Sequence, residues 1–108
     1  MNKYRDKSDF EINKAVAVNK LSPELIVEKN NKIYISEGDS GVIVRFDPCN
    51  NPADAMPIFI DNKMGVIFLG DLVQVSDFSG GTINFGRNFY RTIAELFLMM
   101  KEAENEKV

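Results

Sequence analysis

The chain has 108 residues, 44% of them hydrophobic and 27% charged, which is the composition of a folded globular domain. Its net charge of −3 disfavours nucleic acid as a partner, because nucleic-acid-binding proteins normally carry a basic face. It contains no histidine, which excludes Ser-His-Asp and Cys-His catalysis within one chain and removes the commonest zinc ligand. We therefore expect a single domain over residues 1–108, with flexible termini at about 1–7 and 103–108, and without catalytic residue, metal or cofactor.

The single cysteine, Cys49, cannot form an intrachain disulfide. The first residues are polar and are not followed by an apolar run, so they do not resemble an export signal. No segment approaches the roughly 20 apolar residues that cross a bilayer. We therefore expect a protein of the reducing cytoplasm, with no membrane contact.

The first half of the chain predicts one helix and one hairpin. Ser8 and Glu11 form a capping box, which predicts a helix over about 9–20. After a break at Ser22-Pro23, residues 25–27 form a loop or a short extended piece. The β-branched runs 32–36 and 42–46, joined by a turn with two glycines, predict a hairpin.

The second half predicts a helix, a second hairpin and a long final helix. Asn51 and Pro52 suit the N-cap and first position of a helix over about 52–61, which Pro57 would kink or end early. Runs 65–69 and 72–76 predict the hairpin, and the first is apolar throughout, as in a strand covered on both faces. Residues 82–85 form a further short strand or a loop. From residue 88 to about 102, a broad apolar stripe predicts the last helix.

The order of elements is therefore α-ββ-α-ββ-α. Two hairpins of this kind can merge into one sheet whose faces are covered by helices. We expect an α+β fold with a four-stranded, mainly antiparallel sheet and helices packed on its faces.

Three segments resemble the NinX-like family of phage and prophage proteins, whose function is uncharacterised. Residues 8–14 resemble the family's opening, residues 46–55 with Pro57-Ile58 its central signature, and residues 97–100 its C-terminal helix. The resemblance implies a protein of tailed phages or prophages in the cytoplasm of the host cell, without implying a reaction. The structural signature comprises Asp47, Pro48, Cys49, Asn50, Asn51, Pro52 and Asp54.

The signature residues also allow two chemical interpretations. Oxygen ligands close in sequence could hold a hard cation such as Ca²⁺, although their spacing does not match an EF-hand. A small enzyme could use Cys49, or Asp47 with Asp54 as an acid pair. Each polar residue also has a structural role, as strand stop, turn, N-cap or first-turn acid, and we predict that these roles explain the signature.

Protein–protein interaction with a phage or host protein is the function that the sequence favours. Leu98 and Met99 lie beside the main apolar stripe, so we expect another helix or a second chain to cover them, the latter in a two-fold homodimer. The alternative is a nucleic-acid-associated protein whose basic N-terminal segment contacts phosphate. The candidate contacts are Lys3, Arg5, Lys7 and Lys14.

Overall fold

The structure is a computed structural model that describes residues 2–106, and these residues form an α+β fold. The helices are α1 (Asp9–Lys20), α2 (Pro52–Asp61) and α3 (Phe89–Glu106). The first antiparallel sheet contains β1 (Ile26–Lys29), β2 (Lys32–Ser36) and β3 (Ile43–Arg45). The second contains β4 (Gly65–Leu69), β5 (Leu72–Ser76) and β6 (Ile83–Gly86). The α+β class is confirmed.

The prediction of one four-stranded sheet is wrong, because each hairpin has its own third strand. Asn30 and Asn31 both have positive φ angles, 52° and 61°, which form a two-residue turn that folds β1 onto β2. Residues 83–86 pair with β5, so the uncertain segment after the second hairpin is a strand. The two sheets are thus local units built from short connections, and α2 separates them in the chain.

The helix boundaries follow their predicted caps. Ser8 Oγ accepts a hydrogen bond from the Glu11 backbone N at 3.1 Å, and Asn51 Oδ1 accepts one from the Ala53 backbone N at 3.0 Å. Pro57 lies inside α2 without ending it, and the helix continues to Asp61. Local capping therefore determines where α1 and α2 begin.

The core surrounds α3, which contacts α1, α2 and the inner side of the second sheet. Its fully buried members include Ile12, Ile58, Val75 and Ile93. Leu98 is only 3% exposed and belongs to the same cluster. Leu98 is therefore covered by the chain itself, because α1, α2 and the second sheet surround α3. This residue is not available to a second chain. Met99 is partly exposed.

Strand β4 is not covered on both faces, so that expectation is wrong. It lies at the edge of the second sheet and pairs only with β5 among the described residues. Ile67, Phe68 and Leu69 are 53%, 66% and 49% exposed. Val66 is half-buried against the core and one edge of Phe68 contacts the Phe89 ring, but the apolar side chains at 67–69 remain largely open to solvent.

Residues 2–7 lie against α3. The Tyr4 hydroxyl donates to Glu102 Oε2 at 2.9 Å, and Arg91 Nη2 donates to the backbone carbonyl oxygens of Tyr4 and Lys7. Met1, Lys107 and Val108, which belong to the termini expected to be flexible, lie outside the described residues. Within residues 2–106, none of the helices combines the length and apolar character that a bilayer crossing requires.

Candidate functional site

The signature forms the junction between β3 and α2. The backbone N–H groups of Asn50 and Asn51 donate to the Asp47 carbonyl oxygen at 3.1 and 2.8 Å, which makes a tight turn. Asp54 Oδ2 accepts from the Asp47 backbone N at 2.8 Å and closes the loop from its other end. Asn51 caps α2. Asp47, Asn50, Asn51 and Asp54 therefore all take part in the chain's own hydrogen bonding.

Asn13 connects α1 to this junction and was missed in the sequence. Its side chain is 4% exposed. Asn13 Nδ2 donates to Asp47 Oδ1 at 2.8 Å, and Asn13 Oδ1 accepts from the Cys49 backbone N at 3.1 Å. The available signal was an amide directly beside Ile12 on the apolar side of an amphipathic helix, because a buried amide requires hydrogen-bond partners.

Cys49 and its neighbour Pro48 are fully buried. The Cys49 carbonyl oxygen accepts from Asn88 Nδ2 at 3.0 Å, which ties the junction to the start of α3. Burial, with a further contribution from the negative charge of Asp9, raises the pKa of the Cys49 thiol. Since the thiolate is the reactive form, this environment opposes nucleophilic chemistry at Cys49.

Arg91 joins the N-terminal region to α3. Its Nη1 lies 2.6 Å from Asp9 Oδ1 and its Nε lies 2.7 Å from Glu95 Oε2. Partial burial opposes ionisation of Asp9, but hydrogen bonds from Asn50 and Arg91 and the charge of Arg91 lower the pKa of this carboxyl. Arg91 and Glu95 were also missed in the sequence, where opposite charges four residues apart on an apolar helix were the available signal.

An open cavity of about 320 Å³ lies beside the junction and is lined in part by Asp9, Arg45, Asp47 and Asn50. The Asp47 carboxylate accepts hydrogen bonds from Asn13, Asn50 and Arg45, which occupy the oxygens that a cation would need. Within the described part of the chain, no three His, Cys, Asp or Glu side chains are grouped as metal ligands. The Asp54 carboxylate closes the loop through the Asp47 amide, so the polar atoms here have structural tasks.

The basic N-terminal side chains have partners in the chain. The amines of Lys3, Lys7 and Lys14 lie 2.9, 3.8 and 3.0 Å from the carboxylates of Glu102, Glu11 and Glu28, respectively. Arg5 donates to the Phe85 carbonyl oxygen and, at 3.5 Å, to Asn84. The four candidate nucleic-acid contacts therefore do not form an uncompensated basic face.

The second sheet has one buried face and one exposed face. On β5, Val73 and Val75 are 6% and 0% exposed, so their side chains point into the core. Because successive strand residues alternate between the two faces, Leu72, Gln74 and Ser76 of β5 point outward. Their cross-strand partners on β4 and β6 share that face. We call this side the outer face. Its large apolar members, all between 41% and 53% exposed, are Ile67, Leu69, Leu72, Ile83 and Phe85.

Comparison of the chain with protein-family models, curated proteins and solved structures finds no match. The resemblance to NinX-like proteins accordingly remains a prediction that rests on the three segments described above. The polar junction is occupied by its own hydrogen bonds, whereas the outer face has no described element covering it.

Proposed function

We propose that this protein is a non-catalytic accessory protein that acts through protein–protein contact. The single observation that carries the proposal is the outer face of the second sheet, where five large apolar side chains are exposed together. Because each of the five side chains is about half exposed, the outer face presents an apolar patch on the order of a few hundred Å², within the range of the largest, often functional, patch on a protein monomer.

The composition of the outer face is that of an interface centre. Gln74 lies between Ile67 and Phe85 across the three strands, and the strand positions on this face carry no charged side chain. Depletion of charge is a feature that distinguishes the centre of a protein interface from ordinary surface, and Phe85 adds an aromatic side chain of the kind enriched there. The partner that fits is a protein with an apolar surface of its own.

The other observations support contact rather than chemistry. The pKa of Cys49 is raised by its burial, the signature carboxylates are engaged within the fold, and the N-terminal lysines are paired. The resemblance to NinX-like proteins supports a tailed phage or prophage as the genomic setting and the host cytoplasm as the compartment. The partner is then a phage or host protein.

The test is affinity capture from cells in which a prophage has been induced, comparing wild type with Phe85→Ser. Phe85 is 43% exposed on the outer face, and we expect its loss to release the captured partner. Phe78→Ser is the matched control, because Phe78 is 77% exposed in the β5–β6 loop and lines a surface cavity with Met100 and Ala103 of α3, away from the outer face. Thermal unfolding of each variant checks that the fold is retained.

The salt dependence of capture separates this proposal from the nucleic-acid alternative. An apolar contact should persist as salt concentration rises, whereas binding to phosphate weakens steeply. Capture that is equal for wild type and Phe85→Ser, or that disappears with salt or nuclease treatment, would contradict the proposal.

A further inference from the structure

Strand β4 leaves one side of the second sheet open, because no described strand pairs with its other edge. Proteins usually protect such an edge with lysine, proline, a bulge or a very short strand. Strand β4 has none of these: it contains five residues in continuous register from Gly65 to Leu69, without charge or proline. Ile67 and Phe68 are more than half exposed.

The other strand edges are better protected. Strand β3 has only three residues and ends with the charged Arg45, and β1 carries Glu28 and Lys29. On β6, Arg5 donates a hydrogen bond to the Phe85 carbonyl oxygen. Strand β4 is therefore the edge best suited to pair with another strand.

The turn at the end of β4 determines which backbone groups are free. Gly70 has a φ of 65° in a two-residue turn between the paired residues Leu69 and Leu72, the geometry of a type II′ hairpin. Such a turn makes Leu69 and Leu72 a hydrogen-bonded pair, and the pattern alternates along the ladder. The N–H and C=O groups of Val66 and Phe68 consequently point away from β5.

We propose that the occupant of this edge is β4 of a second copy of the chain, paired antiparallel about a two-fold axis at Ile67. In that register the free groups of Val66 meet those of Phe68 of the second copy. Their side chains form an aromatic and β-branched cross-strand pair, which is a favourable combination in sheets. Gly65 lies opposite Leu69 of the second copy, so a small residue faces a large one.

The charges that flank β4 select this arrangement. Lys63 precedes the strand and Asp71 follows it, both side chains are exposed, and neither forms an ion pair among the described residues. Antiparallel pairing at Ile67 places the end of β4 that Lys63 precedes next to the end that Asp71 of the second copy follows, so opposite charges meet at both ends of the paired edge. Parallel pairing would instead place like charges together. The edge is thus complementary to itself in charge as well as in side-chain size.

The resulting dimer has a six-stranded sheet in which the two outer faces become continuous. A five-residue edge is small for a protein interface, so we expect association in the micromolar range rather than an obligate dimer. The inference extends the proposed function, because it would present two partner-binding faces side by side, but the pairing does not depend on that function.

Sedimentation equilibrium of the purified full chain over a concentration series tests the pairing. We expect a monomer–dimer equilibrium. Lys63→Asp or Asp71→Lys alone should weaken it about tenfold, because each makes two attractive contacts repulsive, and the double swap should restore it. Ile67→Lys should abolish it, while Val18→Lys, at a similarly exposed position on α1, should leave it unchanged.

Amide hydrogen exchange gives an independent measurement at the proposed contact. Exchange at Val66 and Phe68 should slow as protein concentration rises, whereas exchange in β3 should not change. A wild type that stays monomeric at high micromolar concentration would overturn the inference, as would a dimer that neither Ile67→Lys nor the single charge swaps weaken. Phe85→Ser should keep the dimer yet lose the captured partner, so failure of the pairing and failure of the proposed function are distinguishable.

Discussion

Replacing Asn13 with alanine tests whether the junction is held by the buried amide. Asn13 Nδ2 donates to Asp47 Oδ1, and Asn13 Oδ1 accepts from the Cys49 backbone N. Asn13→Ala leaves the Cys49 N–H without its partner in a buried site, which costs about 1–3 kcal/mol. The substitution also removes the hydrogen bond from Asn13 to the Asp47 carboxylate, which is 14% exposed and still accepts a hydrogen bond from Asn50. We expect the free energy of unfolding to fall by about 2–4 kcal/mol.

Urea unfolding followed by circular dichroism measures this change. The slope of the free energy of unfolding against urea concentration should be the same for variant and wild type. Asn19→Ala is the matched control, because Asn19 is exposed on the same helix and its side-chain amide, among the described residues, donates only to the Ala15 carbonyl oxygen. Its substitution should change stability by less than about 0.5 kcal/mol. If the two variants are equally stable, the junction does not depend on Asn13 and this account of the signature is refuted.

Asn13→Asp sharpens the same test, because it preserves side-chain size and the acceptor for Cys49. At neutral pH it places a carboxylate beside Asp47 and should be at least as destabilising as alanine. As the pH falls, protonation turns the new side chain into a donor, and the deficit relative to wild type should shrink. A deficit that does not vary with pH would show that charge at this contact is unimportant.

Four further predictions concern the described side chains. The pKa of Asp9 in the folded protein lies below its ordinary value, so the contribution of Asp9 to stability is present above the unfolded-state pKa and is lost as the pH falls through the folded-state pKa. Urea titrations should therefore show that acid lowers the free energy of unfolding less for Asp9→Asn than for wild type. The raised pKa of buried Cys49 predicts slow reaction with a thiol reagent in the native protein and fast reaction in urea; rapid native labelling would contradict this. Asn51→Ala should lower the free energy of unfolding by about 0.5–2 kcal/mol through loss of the α2 cap, and calcium should leave the melting temperature unchanged. Leu98→Glu should unfold most of the protein, because it buries a charge, whereas Met99→Glu should fold; a folded, monomeric Leu98→Glu would place Leu98 at an interface after all.

Local signals predicted the helices well, because the residues that determine their starts lie within one turn of them. Ser8 with Glu11 marks α1, and Asn51 with Pro52 marks α2. The first sheet has three strands instead of the predicted two, because Asn30 and Asn31 adopt positive φ angles, as asparagine readily does, and turn β1 onto β2.

Burial was harder to predict than secondary structure. The apolar run of β4 has the same composition whether a strand is covered on both faces or exposed at an edge, so it could not reveal the open edge. The turn and cap roles of the signature were predictable from spacing. The contacts from Asn13 to Asp47 and from Arg91 to Asp9 were not, because they join residues 34 and 82 positions apart.

The contacts that Arg91 makes with residues far earlier in the sequence have a consequence for how the chain folds. Its guanidinium donates to carbonyl oxygens as far back as Tyr4, 87 positions earlier, and contacts Asp9, 82 positions earlier. During synthesis, residues 4–9 leave the ribosome well before Arg91, which anchors them, has been made. Contacts this distant in sequence close large loops and form late. Residues 4–9 should therefore reach their native positions only after Arg91 has been made, and the N-terminal end of α1 should be fixed only once α3 has formed.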